Sequence, residues 1–167
     1  MQFHSSDPSK LVEAAFRCIQ TERMAGLPML NPVLQVAAVG FKRLQTPHAE
    51  WLGVLLTPWS LGLLLLPASA EWPVVASHAR AFRHYPAGDF AFLGNHEEGL
   101  GDYLVCPLVH EMSQFADQEI AMLTARASLI ALDMVPAGTE VDPVAPDAPV
   151  VPPSAGRRKF FGIASRD

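Results

Sequence analysis

The stretch WLGVLLTPWSLGLLLLPASA, Trp51 to Ala70, lies between Glu50 and Glu71 and carries no charge over twenty residues. That is about the ~20 residues with which a helix spans a bilayer. A single helix would have to hold Pro58 in its interior, losing a backbone donor and crowding the preceding turn, and Gly53 and Gly62 add further cost. Thr57-Pro58-Trp59-Ser60, by contrast, sets proline where a type I turn wants it, between two apolar runs of strand length. The segment is therefore expected to be a hairpin, Glu50 to Leu56 and Leu61 to Leu66, with no membrane insertion. Its second arm, LGLLLL, does not alternate, which predicts a strand buried on both faces.

Working outward, Asp7-Pro8 reads as the start of a helix running to about Met24, with Asp as N-cap and Pro at the first helical position. Leu11, Ala15, Cys18 and Ile19 form its expected inner stripe, and Glu13 and Arg17 an i,i+4 pair on the wet side. VLQVAAVGF, Val33 to Phe41, is expected to be a strand. Glu71 to Arg83, opened by Ser69 and Trp72-Pro73, reads as a short helix ending at Tyr85-Pro86. GDFAFLGN and DYLVCPLVH read as a second hairpin across the turn NHEEGLGD. From Ser113 a long helix is expected, with Ala116, Ile120, Leu123, Ala127 and Ile130 as its buried face. The predicted fold is α+β: a mainly antiparallel sheet of about five strands, the two long helices packed on one face, and a short helix between strands 3 and 4.

A chain of 167 residues is long enough for one domain with a sizeable core. Residues 1–135 are expected to form it. Six prolines between Pro136 and Pro153 mark 136–155 as an extended linker, and 156–167 is a basic, aromatic tail. The net charge of −5 is unevenly placed: Arg157, Arg158, Lys159 and Arg166 against Asp167 leave +3 on residues 150–167 and −8 on the rest. An acidic body argues against nucleic-acid binding and favours a basic peptide as ligand. Half of the residues are apolar and only 17% charged, as in a protein that covers apolar area with a partner. Cys18 and Cys106 stand far apart and read as reduced, buried thiols of a cytoplasmic protein; no secretory signal is visible.

No catalytic, cofactor-binding or metal-binding residue is assigned. The nucleophile elbow, phosphate loop, zinc-protease pattern and dinucleotide fingerprint are absent, and the six histidines are scattered without ligand spacing. The tryptophans gather in or beside the apolar hairpin; Trp59 at its turn, where folding rarely needs a large ring, suits a protein interface, and the alternative of equal weight is that all three fill the core. Paired phenylalanines beside Arg157-Arg158-Lys159 make the tail read as a docking peptide. The partner-binding residues expected are Thr57, Pro58, Trp59, Trp72, Pro73, Phe90, Tyr103, Arg157, Arg158, Phe160 and Phe161.

These residues carry a resemblance. Thr57-Pro58-Trp59 with a strand ending in Pro67, Trp72-Pro73, Pro86-x-Gly88-x-Phe90-x-Phe92, Tyr103-Leu104-x-Cys106-x-Leu108, and Gly156-Arg157-Arg158 before Phe161-Gly162, in that order, resemble the HybE/HupJ family of nickel–iron hydrogenase assembly proteins over nearly the whole chain. Phe115-Ala116-Asp117-Gln118 leans toward HupJ. Val105, Pro107 and Val109-His110 depart from the serine-rich pattern of the family at the strand-to-helix corner. The resemblance implies a non-enzymatic cytoplasmic chaperone of uptake-hydrogenase maturation that binds the iron–sulfur small-subunit precursor, with its twin-arginine export signal, until cofactors are in place. Other maturation proteins are further expected partners, and a homodimer is left open. The alternative is a protein that handles or protects a metal or iron–sulfur cluster in the same pathway; a third reading is a small hydrolase. Arg157-Arg158-Lys159-Phe160-Phe161 also has the Arg-Arg-x-aromatic-aromatic form of the twin-arginine core, which makes the tail an expected competitor of the client's signal through a tether of effective concentration near millimolar.

Overall fold

In the computed structural model, which describes residues 1–134, the uncharged stretch folds back on itself as expected. Strand β2 (Glu50–Leu56) pairs antiparallel with β3 (Leu61–Pro67), from Glu50 opposite Pro67 to Leu56 opposite Leu61. At the turn the Thr57 hydroxyl accepts from the backbone N–H of Ser60 at 2.9 Å, and the Thr57 N–H donates to the Ser60 carbonyl at 2.9 Å. One buried side chain thus satisfies backbone groups that a tight turn leaves over.

Around this hairpin stand β1 (Ala37–Leu44), β4 (Arg80–Tyr85), β5 (Gly88–Glu97) and β6 (Gly101–Val109), in the sheet order β1-β2-β3-β6-β5-β4, every pairing antiparallel. Helix α1 (Ser9–Glu22) precedes the sheet, and a 3-10 turn (Met112–Gln114) and helix α2 (Gln118–Leu132) follow it. The architecture is α+β with six strands, one more than expected. The additional strand corrects the short helix predicted over Glu71 to Arg83. Arg80 to Tyr85 alternates between outward Arg80, Phe82 and His84 and inward Ala81, Arg83 and Tyr85. Pro86, taken as a helix stop, is the bend of a two-residue hairpin closed by Tyr85 opposite Gly88. Pairing with β5 outweighs a weak helical propensity.

The helices lie on opposite faces of the sheet, which corrects the single face expected. All seven residues of β3 are buried. Leu61, Leu63 and Leu65 pack with Ala121, Ala125 and Leu132 of α2, whereas Leu64 and Leu66 pack with Val12 and Phe16 of α1. A strand without alternation needs a cover on each side, and each helix supplies one.

Two inner stripes also differ from expectation. In α1 the deepest residues are Val12 and Phe16, while Leu11 and Cys18 face outward. Only Cys106 of the two thiols is buried, and burial raises its pKa. In α2 the residues turned to the sheet are Ala121, Ala125 and Leu132, not the predicted row through Ile120 and Leu123. Small alanines let the helix lie close over β1 and β2. There Gly40, at φ +64 in an irregular stretch of β1, leaves room that Leu129 fills. A Cβ on Gly40 would collide with that leucine.

Candidate functional site

Because α2 buries its alanine side, its more apolar side faces water. Ile120, Leu123 and Ile130 are 45%, 55% and 64% exposed, and Met134 beyond the helix end is also exposed. With Ala116 and Ala127 they recur at intervals of four and three, roughly half a turn from the buried row. Asp117 starts the helix by accepting from the Ile120 N–H at 2.9 Å, a side-chain cap of the usual kind. The outward row is a narrow seam of the type that another helix fills.

At the start of this seam the structure opens a cavity of about 400 Å³ at the strand-to-helix corner, with Met29, Val33, Glu111, Phe115 and Ala116 among its walls. Ala116 belongs to both features. Buried Asn31 shapes the corner. Its side-chain amide donates to the carbonyls of Met112 and Phe115, both at 2.9 Å, its carbonyl oxygen accepts from the Val33 N–H at 3.2 Å, and its backbone N–H donates to the Pro58 carbonyl at 2.8 Å. One amide ties together the loop after α1, the hairpin turn and the approach to α2. Nothing local to Asn31-Pro32 signals partners some eighty residues away along the chain. Leu27, Met29 and Val33 on this loop are exposed, so the apolar surface continues past the seam.

The predicted partner-binding residues fall into separate places. Thr57 and Pro58 are buried in the hairpin turn, and Trp59 is half-buried beside them. Trp59 and Tyr103 line one hollow on the α1 face together with Phe16, Ile19 and Glu97. Tyr103 stacks edge-on against Phe16 with centroids 5.9 Å apart, and burial pushes its phenol up to about 12. Phe90 lines an apolar hollow with Leu108, Ser128 and Leu132 beside the last turn of α2. Trp72 is core. Its indole N–H donates at 3.0 Å to Glu50, and the Arg83 guanidinium holds the same carboxylate through Nε and Nη2, both at 3.1 Å. A buried carboxylate needs such partners. Pro73 is exposed near this pair, at the opposite end of the hairpin from Trp59. Arg157, Arg158, Phe160 and Phe161, with the linker 136–155, lie outside the described residues.

Among the described residues no three His, Cys, Asp or Glu side chains gather as metal ligands would. His84 and His96 instead meet Asp89 and Asp102 across strands at 2.7 and 2.8 Å. No helix among the described residues is long and apolar enough to cross a membrane.

An exposed apolar helix row that runs into a corner walled by Met29 and Met112 is the kind of surface on which polypeptides dock in other proteins. The chain belongs to the [NiFe]-hydrogenase assembly chaperone family HybE, whose profile matches residues 7–163. It is 35% identical over 120 residues to the probable rubredoxin HupJ of Rhodobacter capsulatus, covering 71% of this chain and 42% of that longer protein. It is 39% identical over 119 residues to the hydrogenase expression/formation protein HupT of Azotobacter chroococcum mcd 1, covering 71% and 76%. The solution structure of HybE from Escherichia coli matches in fold with a TM-score of 0.66 over 99% of this chain and 95% of that one, at 23% identity.

Proposed function

We propose that this hydrogenase assembly chaperone works in the cytoplasm by binding the iron–sulfur small-subunit precursor of a nickel–iron uptake hydrogenase, holding it until its cofactors are assembled. The observation that carries the reading is the outward row of α2, Ile120, Leu123 and Ile130, an apolar surface that folding leaves uncovered. Exposed apolar rows of this kind mark interaction sites. The reading needs no catalytic group: the protein's part is to cover apolar client surface reversibly.

The test is affinity capture of the full chain from cells expressing the hydrogenase genes, with precursors that carry or lack the export signal. Precursor is expected in the captured fraction, and loss of the signal is expected to reduce it. Absence of both precursor forms would remove the reading. Truncating residues 156–167 tests the tail. Tighter binding of a signal peptide is expected, and unchanged or weaker binding would exclude competition by Arg157-Arg158-Lys159-Phe160-Phe161.

A further inference from the structure

Charge is unevenly distributed along the outer face of α2. Glu111, Asp117 and Glu119 are exposed around its start, and none of the three joins an ion pair among the described residues. The sequence holds no Lys or Arg between Arg83 and Arg126. Farther along, Arg126 stands in the second half of the helix, and Lys42 meets Asp133 at its end at 3.3 Å. The surface is therefore acidic at one end and apolar beyond it.

Its size limits what it can hold. A seam roughly 22 Å long and ~10 Å wide is far below the ~800 Å² per partner of a stable complex, which argues for a transient occupant over a permanent second copy. The corner cavity lies at the acidic end. Met29 and Phe115 offer an apolar wall to the stem of a long basic side chain, with Glu111 for its charged head. Arginine has that build.

We infer that the outer face of α2 binds a peptide in which a basic cluster precedes an apolar helical run. The basic residues lie against Glu111, Asp117 and Glu119, and the run extends along Ile120, Leu123, Ala127 and Ile130 toward the end of α2. The inference rests on the proposed function and adds which surface of this chain takes the peptide and in which direction the peptide lies. Charge complementarity of this sort fixes register and orientation more than it adds affinity.

The experiment uses the full chain and synthetic peptides with two arginines ahead of a Leu/Ala run long enough for about four helical turns. A second peptide carries the arginines after the run. The forward peptide is expected to bind about tenfold tighter than the reversed one at low salt, with the difference shrinking as salt rises. A nitroxide on its basic end should broaden the amide signal of Ile120 and spare that of Ile130. The double change Glu111→Lys, Glu119→Lys should erase the preference, and Leu123→Asp should abolish binding of both peptides with the unfolding midpoint unchanged. Equal affinities, or broadening at Ile130, would overturn the orientation. Normal precursor capture by Leu123→Asp would move the site elsewhere while leaving the proposed function intact, whereas no capture by any form would sink that function itself. A concentration-dependent dimer lost in Leu123→Asp would make a second copy the occupant and overturn the inference.

Discussion

Helices α1 and α2 cover opposite faces of one sheet, and they differ in what they leave outside. α1 turns Val12 and Phe16 inward and presents Lys10, Arg17 and Glu22 to water, with Arg17 and Glu13 paired at 3.0 Å. Folding uses most of its apolar side and leaves Leu11 and Cys18 outside. α2 turns Ala121, Ala125 and Leu132 inward and presents Ile120, Leu123 and Ile130 to water. Apolar residues on both sides of a helix are normally buried on both sides; in α2 the outer ones stay exposed, interspersed with Glu119 and Arg126, and the proposed function gives them a partner. The contrast separates residues that hold the protein together from apolar residues that the described fold leaves exposed.

The largest effects come from disturbing the inner sides. Phe16→Ala is expected to cost ~3–5 kcal/mol through lost burial and the cavity left behind. Ala125→Asp, at a position without solvent exposure, should cost at least ~3 kcal/mol, because a carboxylate would sit among leucines without a partner. Both are read from urea unfolding. If Ala125→Asp folded with wild-type stability, α2 would not be docked through its alanine side and the comparison would collapse.

The outer sides should behave oppositely for stability and differently from one another in function. Leu123→Asp and Arg17→Ala are each expected to change unfolding free energy by no more than ~0.5 kcal/mol, as surface substitutions usually do. Only Leu123→Asp is expected to reduce capture of the precursor. Loss of capture with Arg17→Ala and none with Leu123→Asp would transfer the binding face to α1.

The row whose periodicity predicts burial is the one that the fold leaves outside. Ala116, Ile120, Leu123, Ala127 and Ile130 have the stronger periodic signal, since leucine and isoleucine outweigh alanine on any scale of burial. The sheet instead selects the alanine row, because close packing over β1 and β2 rewards small side chains. That preference is set by tertiary spacing, which no local pattern encodes. The hairpin at Pro58 was legible for the opposite reason: proline and its neighbours act locally. The two-faced burial of β3 was also legible, and it contained the placement of the helices on both faces, an implication the one-face expectation overlooked. β4 was hidden by Trp72-Pro73 and Pro86, which punctuate helices and hairpins alike. At the corner, Asn31 acts through contacts far along the chain, so only the fold displays it.

The smallest effect distinguishes the two sides through pH. His4 fastens the N-terminal segment ahead of α1. Its backbone N–H donates to the Pro67 carbonyl at 2.9 Å, its ring Nε2 lies 3.1 Å from the Leu100 carbonyl, and its own carbonyl accepts from the Trp51 indole at 2.9 Å. Burial lowers its pKa from the ordinary 6.5, and the Leu100 carbonyl offsets part of that shift. The neutral ring is therefore the folded form. Well above 6.5 neither state takes up a proton at His4 and its contribution is intact. As pH falls below 6.5 the unfolded chain binds a proton that the folded one resists, so stability declines until the folded ring also titrates. Titration of His4 acts on the α1 side, where Leu100 and Leu66 lie in one cluster, and touches nothing on α2. Acidification from about pH 7.5 to about pH 5.5, across the histidine range, should lower the hydrogen-exchange protection factors, taken relative to intrinsic exchange at each pH, at Leu66 and Leu100 before Ala125. His4→Gln should weaken that pH dependence. Equal loosening at Ala125 would mean that the two faces open together, and the separation drawn between the helices would hold for their surfaces but not for their stability.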